Sequence, residues 1–361
     1  MSDARAAVGR RPVLVTGGAG FIGSNIADRL ARDGHDVLVY DALTRTGVER
    51  NLDWLQSRHP ERISHVRADV RDAASLEAAA REASATFHMA AQVAVTTSLV
   101  DPVEDFDVNV RATLTLLEAA RRRETPTPLI FASTNKVYGD LADVELTLTN
   151  RAYVPAEAAI RSGGIPETRP LDFHTPYGCS KGAADQYVLD YARSFGVPTA
   201  VLRMSCIYGQ RQMGTEDQGW VAHFVIRALA GEPISIFGDG SQVRDVMDVG
   251  DAVDAYMAAW QRIDGVSGRA FNLGGGPANA ISLRELIDYL GEITGRPVET
   301  IYSDWRAGDQ RWFVADARAA RAALGLKSPK GWRQGVADLM RWMQGERGHA
   351  GLSAPARRDV A

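Results

Sequence analysis

The chain has 361 residues, more than one ordinary domain needs, so a large domain with an appended lobe is expected. Apolar residues make up 45% and charged residues 24%, the composition of a globular protein, and the net charge of −4 gives no reason to expect nucleic acid or an anionic membrane as partner. The two cysteines, Cys179 and Cys206, have no metal-type spacing, and no apolar run suggests a secretory leader or membrane span, which together predict a cytoplasmic, metal-free protein.

In chain order, residues 1–11 are small and charged and predict a frayed end. Short apolar strands are expected at 13–16, 35–40, 63–68, 85–90, 128–132 and 198–204. Helical patterns at 21–33, 47–57, 73–83, 102–122 and 177–195 alternate with them. That rhythm predicts an α/β fold, a doubly wound parallel sheet with a smaller C-terminal lobe. The first domain should span 1–204 plus about 247–272, and the lobe about 205–246 and 273–346. Residues 140–173 interrupt the rhythm and read as a functional or disordered connection. Helices are expected near 220–230, 282–294 and 331–344, and 347–361 reads as a disordered tail.

Between the first strand and first helix lies Gly17-Gly18-Ala19-Gly20-Phe21-Ile22-Gly23. Gly17, Gly20 and Gly23 form a GxxGxxG variant of the dinucleotide fingerprint, in which glycine lets backbone approach a pyrophosphate at a helix N-terminus. Asp41 ends the second strand about 20 residues on, where a carboxylate binds ribose hydroxyls and selects NAD over NADP. Arg45 is close enough to complicate that choice. Asp69 and Val70 could flank the adenine, and Ala90, Ala91 and Gln92 offer small residues where a flat ring passes. Asn109 interrupts an otherwise apolar and charged helical pattern.

Tyr177 and Lys181 are four residues apart and share one helix face. A free phenol titrates near pH ~10, and an ammonium beside it would favour the phenolate. Such a pair can take a proton from a substrate hydroxyl if a nicotinamide accepts the hydride. Any anionic ligand of this acidic chain must be held by local arginines or helix ends.

The segments GGAGFIG, HMAAQ at 88–92, STNKVYG at 133–139 and YGCSK at 177–181 together resemble the extended short-chain dehydrogenases/reductases, in their nucleotide-sugar epimerase/dehydratase group. DQGW at 217–220, QVRDV at 242–246 and DQR at 309–311 are similar to its CDP-tyvelose (CDP-paratose) 2-epimerase subgroup. The resemblance implies catalysis by Thr134, Tyr177 and Lys181 on NAD, with Tyr177 and Lys181 also contacting the cofactor, Lys181 at the nicotinamide ribose, and Asn109 supporting the cofactor side. It implies a nucleotide diphosphate sugar held by Thr134, Asn135, Cys206, Arg211, Gln218, Trp220, Arg244 and Arg306. The reaction expected is inversion of a hydroxyl-bearing carbon, C2 favoured; the alternatives are a 4-epimerase or a net oxidoreductase. Dehydratases of the group carry Asp-Glu after the Thr. Asn135 and Lys136 stand there instead, and neither can supply the carboxylate chemistry of dehydration. A homodimer or homotetramer paired through 102–122 and 177–195 is also implied.

Overall fold

Short strands rich in Val, Ile, Leu and Phe are buried on both faces only where helices cover a parallel sheet. The computed structural model, which describes residues 11–306 and 308–349, has that arrangement. Its main sheet runs in the order Arg269–Leu273, Thr199–Met204, Leu129–Thr134, Ala85–His88, Val13–Thr16, Val37–Tyr40, Ile63–Val66. Neighbouring strands are parallel throughout. The chain moves outward from 13–16 to 63–66, then returns to pair 85–88 with 13–16 on the other side. This reversal opens a crevice at the carboxyl ends of those two strands, where doubly wound sheets bind ligands.

The second lobe gathers the strands Cys206–Tyr208, Val243–Asp248, Ala280–Ser282 and Trp312–Phe313. Ile234–Phe237 and Thr300–Ser303 form a separate parallel pair. The helices Trp220–Ala230, Leu283–Thr294 and Trp332–His349 pack on this lobe around Val225, Ile234, Leu286 and Val336. Ser282 and Glu285 close a reciprocal capping box at the start of the second of these helices.

Three expectations are refined. The 102–122 helix is Pro102–Phe106, a π-helical turn at Asp107–Arg111, and Ala112–Arg121. A further helix, Val95–Val100, escaped notice because it is short, β-branched and has no side-chain cap. Residues 140–173 are ordered rather than disordered, carrying a hairpin (Leu146–Leu148 with Tyr153–Pro155) and the helix Ala158–Gly163. Local turn chemistry could not reveal this order, because distant partners supply it. Ile165 N–H donates to Val314 O at 2.8 Å and Tyr153 N–H to Ser241 O at 2.9 Å. Of the end expected to fray over 1–11, residues 1–10 lie outside the described residues, as does the part of the expected 347–361 tail from 350 onward; the last helix runs to His349. No described helix is long and apolar enough to cross a membrane.

Candidate active site

The glycine turn is shaped by what a side chain would strike. Gly17 has φ +64°, and a Cβ there would lie 2.7 Å from Ala90 N across the crevice. At Gly23 a Cβ would meet Gly17 O at 2.1 Å. Gly20 is the N-cap of the Phe21–Arg32 helix, and no side chain caps that end. The first-turn N–H groups, those of Phe21, Ile22 and Gly23 among them, are therefore placed to meet an anion, while the Phe21 and Ile22 side chains pack on the core. Asp41 braces the turn by accepting Ala19 N–H at 3.0 Å and Leu43 N–H at 2.9 Å. This uncapped, side-chain-free cradle beside a strand-ending carboxylate fits a dinucleotide.

Asp69, in the loop after the strand Ile63–Val66, has both carboxylate oxygens on Arg71, at 3.0 and 2.7 Å, which holds its pKa below the usual range. Val70 is buried in the core behind it. On the other wall, Ala90 N–H donates to Thr16 Oγ1 at 3.3 Å. Asn109 clasps the backbone of Gln92 from both sides, accepting its N–H at 3.1 Å and donating to its carbonyl at 3.1 Å. Its amide also reaches Asp105 Oδ1 at 3.2 Å and Ser180 Oγ at 3.0 Å. Asn109 sits in the π-helical turn, whose widened backbone aims it across the helix boundary at three elements.

Tyr177 and Lys181 lie in the first turns of the helix Thr175–Phe195, and Thr134 ends the strand Leu129–Thr134 beside it. All three side chains are buried. Burial pushes the Tyr177 phenol up to about 12; a hydrogen bond with Thr134 draws it back, Asp105 adds to the rise and Arg45 opposes it. The expected partnership with Lys181 takes a different form. The Lys181 ammonium donates to Ala132 O at 2.6 Å and rests 4.2 Å from the Phe131 ring centre. Burial lowers it to about 7, against the pull of Asp185 and Asp105. The i,i+4 spacing puts both residues on one face, but a buried carbonyl within reach of the ammonium satisfies it first.

The lobe side is a second cluster. Arg244 Nη2 binds Asp309 Oδ1 at 2.7 Å and Gln310 O at 2.5 Å. Asn135 Nδ2 donates to Gln310 Oε1 at 3.0 Å, and Thr134 Oγ1 to Asn135 Oδ1 at 3.3 Å. Trp220 Nε1–H donates to Cys206 Sγ at 3.3 Å, so these two predicted contacts are partners of each other. Arg306 lies 3.7 Å over the Phe237 ring and bonds Glu216 O at 3.0 Å. Gln218 accepts a hydrogen bond from Arg45, joining the two walls of the crevice.

Arg211 does not join this cluster. Its guanidinium is sandwiched by Trp54 and Trp342, at 4.1 and 5.4 Å from their ring centres, and faces Glu346 at 3.6 Å. Its left-handed backbone, φ +69°, turns the side chain away toward the helices 48–58 and 332–349. The expectation of a substrate arginine there is therefore corrected.

Other residues of the site were overlooked in the sequence. His88 is fully buried between Thr16 Oγ1 at 2.7 Å and Thr113 Oγ1 at 3.0 Å. Burial and Lys181 push it down to about 3, so it is a neutral link. A histidine inside an apolar strand was the available signal. Arg203 and Asp185 form a buried pair that also holds Ser133 Oγ, next to Thr134, at 2.7 Å from Asp185 Oδ2. Lys136 reaches Gly308 O at 3.0 Å.

The chain matches the NAD dependent epimerase/dehydratase family over residues 13–274. It is 40% identical over 337 residues to the CDP-paratose 2-epimerase of Salmonella typhi, covering 91% of this chain and 98% of that one. Among solved structures, the UDP-glucose 4-epimerase of Thermotoga maritima with UDP-glucose is 30% identical with a TM-score of 0.78, over 93% of this chain and 99% of that one. The Thermus thermophilus UDP-glucose 4-epimerase in complex with NAD is 32% identical with a TM-score of 0.77, over 92% of this chain and 99% of that one. With its glycine cradle, strand-ending carboxylate and paired Thr134 and Tyr177, the chain belongs to the NAD-dependent epimerase/dehydratase family.

Proposed function

We propose that this protein is an NAD-dependent epimerase that inverts C2 of a CDP-paratose-like nucleotide sugar. The similarity to a CDP-paratose 2-epimerase over almost the whole of both chains carries the substrate class and the carbon. Asn135 and Lys136 after Thr134 support epimerisation over dehydration, because neither side chain is a carboxylate.

The glycine turn, the N–H groups of residues 21–23, Asp41 and the loop Ala90–Gln92 would hold the NAD. Arg45 would close over it, and Asp69 and Val70 would flank the adenine. When bound, NAD supplies a hydride acceptor that later returns the hydride to the opposite face of the ring. Tyr177 takes the proton from the substrate hydroxyl and gives it back to the inverted oxygen. Burial makes its phenol hold the proton tightly, so ionisation requires added positive charge or a donor beside it. Thr134 is already hydrogen-bonded to that phenol, and turning its single O–H away from Asn135 would steady charge on the reacting oxygen. Lys181 keeps Ala132 O and the strand end in register and, at about 7, is ready to carry charge near neutral pH. Arg244 and Arg306 would take the diphosphate by exchanging their Asp309 and Asp217 contacts for phosphate oxygens. Asn135, Cys206, Gln218 and Trp220 line the space between.

We place residues 1–204 and about 247–272 in the NAD-binding domain and the remainder to 346 in the sugar-binding lobe. We propose that subunits pair through 102–122 and 177–195, where Val103, Phe106 and Tyr187 are exposed. A cytoplasmic location suits an enzyme that draws on NAD and nucleotide sugars.

The test is to denature the purified protein, identify released NAD by mass spectrometry, and screen CDP-, UDP- and dTDP-sugars by NMR. Conversion of CDP-paratose without stoichiometric absorbance at 340 nm is expected. A UDP-hexose inverted at C4, or steady release of NADH, would replace this assignment by one of its alternatives.

A further inference from the structure

Lys136 stands two residues after Thr134, on the buried 3₁₀ turn Asn135–Tyr138. Its backbone N–H donates to Thr134 Oγ1 at 3.2 Å, which starts its side chain at the reacting-oxygen end of the pocket. The ammonium finishes at the lobe, 3.0 Å from Gly308 O and 4.0 Å from Asp309 Oδ1. The same Asp309 oxygen holds Arg244 at 2.7 Å. Arg306, two residues before Gly308, has its own carboxylate in Asp217 at 3.3 Å. Two cations thus share one contacting carboxylate at the boundary of the lobe, with Asp140 a more distant negative charge. Burial and the neighbouring Arg244 lower the Lys136 ammonium to about 8, with Asp309 opposing.

We infer that Lys136 is the ligand of the sugar-proximal phosphate and, through it, sets which ring carbon meets Thr134 and Tyr177. The inference rests on the nucleotide-sugar assignment above and deepens it. In a nucleoside diphosphate hexose the phosphate hangs on the anomeric carbon. C2 is the neighbour of that carbon, whereas C4 lies across the ring. A phosphate held by this ammonium would lie on the Thr134 side of the pocket, which favours C2, the neighbour of the anomeric carbon, over C4. Arg244 and Arg306 are left to take the nucleoside side of the diphosphate.

The binding test compares nucleotides that differ only in the sugar-proximal phosphate, on NAD-loaded protein by titration calorimetry. Lys136→Gln is expected to weaken CDP by about tenfold while leaving CMP within about twofold, and Lys136→Arg to recover most of the CDP affinity. UDP with UMP and dTDP with dTMP serve if the wild-type protein prefers another base. Equal loss for diphosphate and monophosphate would make Lys136 a structural clasp of the 308–310 segment and overturn the inference. No loss for either would overturn it too. A wild-type protein that binds none of these nucleotides would overturn both the inference and the functional assignment. A selective loss of CDP in a protein that inverts C4 would remove the C2 argument yet keep Lys136 as the phosphate ligand.

Discussion

Arg203 and Asp185 form a two-pronged ion pair beneath the proposed catalytic residues, Nε to Oδ2 at 2.9 Å and Nη2 to Oδ1 at 2.8 Å. The pair joins the strand Thr199–Met204 to the helix that carries Tyr177 and Lys181. Asp185 also accepts Ser133 Oγ, and Arg203 Nη1 donates to the Tyr138 hydroxyl at 3.0 Å, which passes a bond to Asn272 Oδ1 at 2.8 Å. Removing one charge leaves the other uncompensated in the core, so Asp185→Asn should cost about 3–5 kcal/mol in chemical denaturation. The double replacement Asp185→Leu with Arg203→Met should cost less than Asp185→Asn alone, since no buried charge remains.

The glycine cradle predicts an effect of a single methyl group. A Cβ at Gly23 would overlap Gly17 O and press on Gly18 Cα, both parts of the turn. Gly23→Ala should fold with little co-purified NAD, measured by mass spectrometry of the denatured supernatant, whereas wild type carries it. NAD at wild-type stoichiometry in that variant would show that the turn is not the pyrophosphate site.

Lys181 predicts a pH dependence of stability. Its buried ammonium titrates at about 7, against ~10.4 for a free lysine. Between those values the unfolded chain binds more protons, so stability rises with pH and is lost as pH falls through about 7. Lys136, lowered to about 8, contributes with the same sign. Lys181→Met should therefore gain stability over wild type at pH 7 and show a shallower rise toward pH 10. Parallel wild-type and variant curves in denaturant titrations across that range would contradict the burial argument.

Arg211 separates packing from binding. Held between two indoles, it contributes through cation–π and stacking contacts. Arg211→Ala should lower stability by about 1–2 kcal/mol and leave KM for the nucleotide sugar within about twofold. A large rise in KM with unchanged melting would restore it to the substrate site.

Much of this architecture was legible because period and punctuation act locally. The strand–glycine–helix unit at 13–32, Asp41 at a strand end and the Tyr177–Lys181 spacing are all statements about neighbours in sequence. What was not legible depends on distant partners. Residues 140–173 look like a loop, yet Val314, Asn272 and Ser241 order them. Arg211 reads as a substrate cation until Trp54 and Trp342 are seen on its two faces. Lys181 reads as the partner of a phenol, yet one of its three N–H donors is turned to Ala132 O. In each case an unpaired charge or backbone group has several possible partners, and only the fold selects among them.

The account stands on Tyr177 taking a hydroxyl proton while the hydride leaves the same carbon and returns to it. CDP-paratose carrying deuterium at C2 tests this directly, with the product examined by NMR after turnover in ordinary water. The account predicts inversion at C2 with the deuterium kept there, and no product when Tyr177 is replaced by Phe. Deuterium lost to solvent, or full activity in the Tyr177→Phe protein, would contradict it.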